Sequence, residues 1–167
     1  MAEAIFPPDE QVIPLYDIAR TIPCIVVHEL RAPIWDMLML LRRADIEGLA
    51  RVHKASKLIA VKIPSTESAL VMLDPSITKH SRRYNLDWEG CSDVPYHVGQ
   101  VRRPDTLTIK YTDITGRKRE KEFGGSSHIG QELARNLEHE IDHLDGGDFL
   151  DRGRRLVQVV LKHEFKL

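Results

Sequence analysis

The chain has 167 residues, enough for one domain that buries roughly two thirds of its unfolded surface without a disulfide framework. Its 24 basic and 25 acidic side chains leave a formal charge of -1, so composition gives no electrostatic case for binding nucleic acid or an anionic membrane. The opening MAEAIFPPDE has acids and prolines where a secretory signal has bases before an apolar run. No stretch approaches the ~18 apolar residues that span a bilayer, and an intracellular, cytoplasmic chain is expected.

No repeat, low-complexity tract or composition shift divides residues 1–167, and a single domain is expected. Four prolines between Ile5 and Pro23 predict an extended or looped arm. From Pro33 to Arg43, Ile34, Met37, Leu38 and Leu41 recur at i, i+3, i+4 and i+7, which predicts an amphipathic helix with proline in its first turn. Leu58 to Ile63 and Ala69 to Leu73 are short apolar runs stopped by Pro64 and Pro75, the pattern of strands. Thr106 to Thr112 alternates, with Leu107, Ile109 and Tyr111 on one face, and a turn through Asp113 to Gly116 returns the chain along Arg117 to Phe123 as a hairpin. A last helix is expected from Ser126 or Ser127, either able to cap it, to Leu144, where Gly146 and Gly147 end it. Its apolar stripe is Ile129, Leu133, Leu137 and Ile141, and an apolar tail follows at Leu156 to Leu161. Helix, strands, helix is the order of an α+β fold, antiparallel sheets packed on a central helix.

That helix carries His139-Glu140-Ile141-Asp142-His143, an H-E-x-x-H arrangement. Positions four apart project from one helix face about a turn apart, so both imidazoles reach one metal while Glu140 lies beside it. Two histidines make half of a tetrahedral site, and a catalytic site needs a third protein ligand with the fourth position left for water. Cys91, in the glycine-preceded turn Glu89-Gly90-Cys91, is the best candidate, since thiolate binds zinc or ferrous iron strongly. Cys24 is expected to be a structural thiol, and His80, His128 and His163 surface residues. Taken alone, H-E-x-x-H also fits a metallopeptidase, although the cysteine argues against it.

Glu89-Gly90-Cys91 and His139 to Gly146 (HEIDHLDG) together resemble the second and third motifs of peptide deformylases, E-G-C-L-S and Q-H-E-x-D-H-L-x-G. The likeness continues at Phe6-Pro7-Pro8-Asp9, at Leu70 to Ile77 and at Asp148-Phe149-Leu150-Asp151. The resemblance implies a peptide-deformylase-like α+β fold, antiparallel sheets around a central helix carrying H-E-x-x-H. It implies one divalent ion, Fe(2+) or Zn(2+), and removal of a formyl group from an N-formylated peptide or small formylated amine. Glu140 would then move the proton, and the backbone N–H of Ser92 would face the oxyanion.

The family's first motif, G-x-G-L-A-A-P-Q, is matched by Ile46 to His53 (IEGLARVH), which keeps Gly48-Leu49-Ala50 and puts His53 where the glutamine stands. A neutral imidazole can donate one hydrogen bond, so His53 is the expected second oxyanion donor. Asp93 follows the cysteine where the family has serine, and Glu138 replaces the glutamine before the first histidine. The substrate pocket is expected at Gly48 and at Glu132, Arg135 and Asn136, positions that are apolar in typical members. A preference for polar or small formylated substrates follows, unless Glu132 and Arg135 pair with each other at i, i+3 on a solvated surface. A second possibility is a deformylase-derived binding module that keeps its metal only for structure.

Overall fold

The computed structural model describes residue 9 and residues 11–158, with side chains as far as Asp151. Phe6 to Pro8, the end of the apolar tail beyond residue 158, and His163 lie outside the described residues. The chain opens with β1 (Ile13–Pro14) and then coils through short helical turns, among them α1 (Ile18–Thr21), so that of the extended or looped arm its prolines predict only the first residues are extended. Pro14 and Pro23 stand at the start of those turns, where the missing N–H removes no helical hydrogen bond, and Leu15 and Ile18 are drawn into the core.

The first long helix is α2 (Arg31–Arg43), close to its predicted span. It is followed by β2 (Gly48–His53), β3 (Ser56–Lys62) and β4 (Ser68–His80). β4 does not stop at Pro75: a register shift between Leu73 and Ser76, with Asp74 at φ 49°, absorbs the proline, and the strand continues against its neighbour. β5 (Tyr84–Cys91) and β6 (Val94–Pro104) form a hairpin that the sequence reading did not foresee. The predicted hairpin is present as β7 (Thr106–Thr112) and β8 (Lys118–Gly124). The main helix α3 (His128–Leu144), the short α4 (Phe149–Arg152) and β9 (Gly153–Gln158) complete the order.

A six-stranded antiparallel sheet runs β2-β3-β4-β7-β8, with β1 on β4, and a three-stranded sheet runs β5-β6-β9. β3 and β4 read as unbroken apolar runs because both of their faces are covered. Leu58, Ala60, Val71 and Leu73 meet Ile34, Met37, Leu38 and Leu41 of α2, whereas Ile59, Val61, Leu70 and Met72 meet Leu133, Leu137 and Ile141 of α3. β7 is covered on the α3 side alone, which is why it alternates. Ile129, expected in the apolar stripe of α3, is exposed, while Ala134 joins the core. The helix thus lies between the sheets as expected, its apolar face on the larger one. Among the described residues no helix is long and apolar enough to cross a membrane.

Candidate metal centre

α3 is anchored at its start by Ser127, whose Oγ accepts the Gly130 N–H at 3.1 Å. It is stopped by Gly146, which adopts φ 82° and donates its N–H to the His143 carbonyl. Between these caps, His139 and His143 stand one turn apart on the side facing β5. Cys91 ends β5, opposite Val94 across the turn Ser92-Asp93. Its sulfur lies 3.2 Å from His143 Nε2, which lies 3.2 Å from His139 Nε2, and the three ligand atoms are all within 4.8 Å of one another. Two imidazole nitrogens sharing a tetrahedral ion at ~2.0–2.1 Å stand about 3.3 Å apart, so the spacing fits such an ion. The Asp93 N–H, 3.4 Å from the sulfur, donates toward it.

Behind the ligands lies a buried ionic network. Arg103 is fully buried, donates to both oxygens of Glu89 at 2.9 Å and to Asp142 at 2.6 Å, and lies 3.5 Å from Glu138. Glu138 in turn meets His80 Nε2 at 3.1 Å, so His80 is tied to the network despite its exposure. Burial alone would raise the Glu89 pKa, but the hydrogen bonds from Arg103 and His139 outweigh it and hold it down at about 2. An ionised Glu89 can only accept, so His139 Nδ1, 3.1 Å from its Oε2, carries the proton and Nε2 is left to face the ligand site. Without an ion, burial opposes a charge on His139, yet hydrogen bonds to Cys91 and Glu89 win and raise its pKa to about 10. An incoming ion must displace that second proton.

Glu140 is 7% exposed and has no hydrogen-bond partner among the described residues. Burial, reinforced by the Asp93 charge and opposed by His139, pushes its pKa up to about 7. It abuts Gly48, where an added Cβ would stand only 2.5 Å from Glu140 Oε1. Both face a cleft of about 550 Å³, whose wall also includes Cys91, Ser92, His139 and Asn136.

The family model for polypeptide deformylase matches residues 6–159. The chain belongs to the polypeptide deformylase family. Peptide deformylase 2 of Gloeobacter violaceus is 38% identical over 129 residues, 74% of this chain and 66% of that protein. A peptide deformylase of Rhodopseudomonas palustris is 30% identical over 148 residues, 84% of this chain and 81% of that one. The Met-Ala-Ser-bound class I type b peptide deformylase of Acinetobacter baumannii is 30% identical and superimposes with a TM-score of 0.61, covering 78% of this chain and 85% of that one. The family uses a catalytic divalent metal, and Cys91, His139 and His143 form a possible site for one.

Of the residues expected at a deformylase site, Gly48, Cys91, Ser92, Glu132, Arg135, Asn136, His139 and Glu140 all line the cleft, and His143 adjoins it through Cys91 and His139. His53 does not. Arg51 and Val52 stay paired with Leu58 and Lys57, so β2 runs straight on and carries His53 about 16 Å along the strand from Gly48. There it pairs with Ser56, beside the Lys54–Glu29 ion pair, and cannot serve as an oxyanion donor.

Arg135 is also corrected: it neither pairs with Glu132 nor presents a free charge. Its guanidinium turns inward to Glu89 at 2.5 Å, to the Val101 carbonyl at 3.0 Å and to Asn85. Glu132 instead lies 3.9 Å from His128, which, though exposed, lines the cleft. Glu89 and Arg103 were missed as supporting residues. Glu89 carried a signal, since it stands two positions before Cys91 and so on the same face of the strand. Arg103 carried none.

Proposed function

We propose that this chain hydrolyses the formyl amide of an N-formylated peptide or amine, with one divalent ion held by Cys91, His139 and His143. The carrying observation is the convergence of those three ligand atoms beside Glu140, a buried carboxyl that accepts no hydrogen bond among the described residues and opens onto the cleft. One thiolate and two imidazoles suit either Fe(2+) or Zn(2+). When bound, such an ion would polarise a water and bring its pKa toward neutrality. Glu140, with a pKa of about 7, is matched to taking that water's proton and returning it to the leaving amine. The water oxygen adds to the formyl carbon, the C–N bond breaks, and formate and a free amine leave. The Ser92 backbone N–H, at the cleft wall, is the protein donor assigned to the oxyanion. That the Acinetobacter relative binds Met-Ala-Ser supports a peptidyl substrate here.

A metal kept only for structure would not call for a buried carboxyl without a hydrogen-bond donor beside it, which is why hydrolysis is preferred to a binding-module role. The test is Glu140→Gln, measured by elemental analysis and by formate release. The variant is expected to keep its metal and to lose at least roughly 10²-fold in turnover. Loss of metal in step with activity would make Glu140 structural and overturn its role.

A further inference from the structure

We infer that the outer face of the three-stranded sheet, together with the basic turn that leads into it, binds single-stranded nucleic acid. A net charge near zero conceals where the charges lie. The connection from β4 to β5 carries the run Lys79-His80-Ser81-Arg82-Arg83, directly before Tyr84, and Arg102 of β6 stands opposite Leu86 of β5. Lys79, Arg82, Arg83 and Arg102 are exposed, and among the described residues none of their side chains has a carboxylate partner. By contrast, Arg20, Lys54, Lys57, Lys110 and Lys121 each meet one at 3.6 Å or less. Lys79 and Arg82 also line a recess of about 400 Å³ with Thr106 and Thr108, where Glu122 is the one carboxylate in the wall. Cations left free in one patch attract a polyanion, and phosphates satisfy both their charge and their donors.

A second observation concerns shape rather than charge. Tyr84, Leu86 and Trp88 alternate along β5 and are 43%, 54% and 44% exposed. They stand on the side away from α3, since Asn85 and Glu89, on the alternate positions, reach Arg135 of that helix. Asp87 lies on the cleft wall and Glu89 is buried, so no carboxylate of β5 interrupts the row. The Arg102 guanidinium lies over the Tyr84 ring, 4.6 Å from its centroid. Exposed rings flanked by arginines are surfaces on which bases stack while their phosphates pair with the cations. Residues two apart on a strand are about 6.8 Å apart, an open spacing that takes unpaired bases singly, whereas a duplex keeps its bases stacked inside. An anionic membrane would call for a helix with a continuous apolar face, but here Arg102 and Gln100 stand level with the row.

The experiment titrates the metal-loaded full chain into a fluorescein-labelled single-stranded RNA of about 12 nucleotides, read by anisotropy at several salt concentrations, beside the matching duplex. Sedimentation with phosphatidylserine vesicles is measured in parallel. The single strand is expected to bind at least about tenfold more tightly than the duplex. Tyr84→Ala should weaken it by at least about fivefold. An Arg82→Gln/Arg102→Gln double variant should reduce the slope of log affinity against log salt by roughly 1.4, the share of two phosphate contacts. Circular dichroism and metal content are expected to be unchanged in both variants. A 4-thiouridine crosslink located by mass spectrometry in the unaltered protein gives a reading that does not depend on how the variants fold, and it is expected between Lys79 and Trp88 or at Arg102. A duplex bound as tightly as the single strand, an affinity that neither variant changes, or crosslinks confined to α3 or to β7 and β8 overturns the inference. So does sedimentation with vesicles when no oligonucleotide binds.

Discussion

Glu140 and Gly48 touch, and the contact links a sheet edge to the chemistry. A Cβ at position 48 would lie 2.5 Å from Glu140 Oε1 and 2.7 Å from its Cγ, so α3 and β2 can approach this closely only across a glycine. Gly48→Ala is expected to displace the carboxyl and cut formate release by at least roughly 10²-fold, with circular dichroism and metal content retained. A variant that loses metal equally would show that the contact supports the ligands rather than the proton carrier. At this scale the sequence was informative wherever a role depends on local spacing. His139, Glu140 and His143 could be read because four residues make one helical turn. His53 could not, because the resemblance transfers a position along the chain, whereas unbroken pairing with β3 decides where that position lies in space.

Elements were legible in proportion to how much apolar surface they bury. α2, α3 and the β7–β8 hairpin follow their periodicity, while β5 has Asn85, Asp87 and Glu89 on its inner face and gave no apolar alternation to read. The turn between β7 and β8 is held by Asp113, whose carboxylate accepts the Thr115 N–H at 2.9 Å, the Thr115 hydroxyl at 2.6 Å, the Arg117 N–H at 3.0 Å and Arg119 Nε at 2.8 Å. Burial pushes its pKa up, but these bonds outweigh burial and hold it below the ordinary value of 3.8. A depressed carboxyl contributes stability that is complete above pH 3.8 and disappears as the pH falls through its lower folded value. Asp113→Ala should therefore destabilise the protein at pH 7, by about 1–3 kcal/mol, or ~2–4 °C of Tm per kcal/mol. The gap between variant and wild type should close in acid. Thermal melts at pH 7 and below pH 4 test this, and a gap that stays constant would show that the carboxylate's charge is irrelevant to the turn.

Across the whole molecule, α3 joins two sheets by different physics: dispersion and apolar burial on the six-stranded side, buried ion pairs on the three-stranded side. The expected arrangement of antiparallel sheets around this helix is present, but its polar face reads from sequence as solvent or cleft. Arg103, Glu89 and Asp142 come from distant parts of the chain, and nothing in local spacing announces that they meet. Burying such charges costs desolvation, which is offset only while every partner is present, so removing one is expensive. Glu89 has two duties here, since it pairs with Arg103 and Arg135 and also orients His139. Glu89→Gln is expected to destabilise by roughly 3–5 kcal/mol and to weaken metal binding by about 10- to 100-fold. Arg103→Met removes a charge from the same network but leaves the contact between Glu89 and His139 in place. It should cost comparable stability with a smaller loss of metal affinity. Denaturant midpoints and competition titration with a chelator separate the two effects. Equal losses of affinity in the two variants would mean that the network acts on the metal site only through overall stability, and that Glu89 has no separate part in aligning the imidazole.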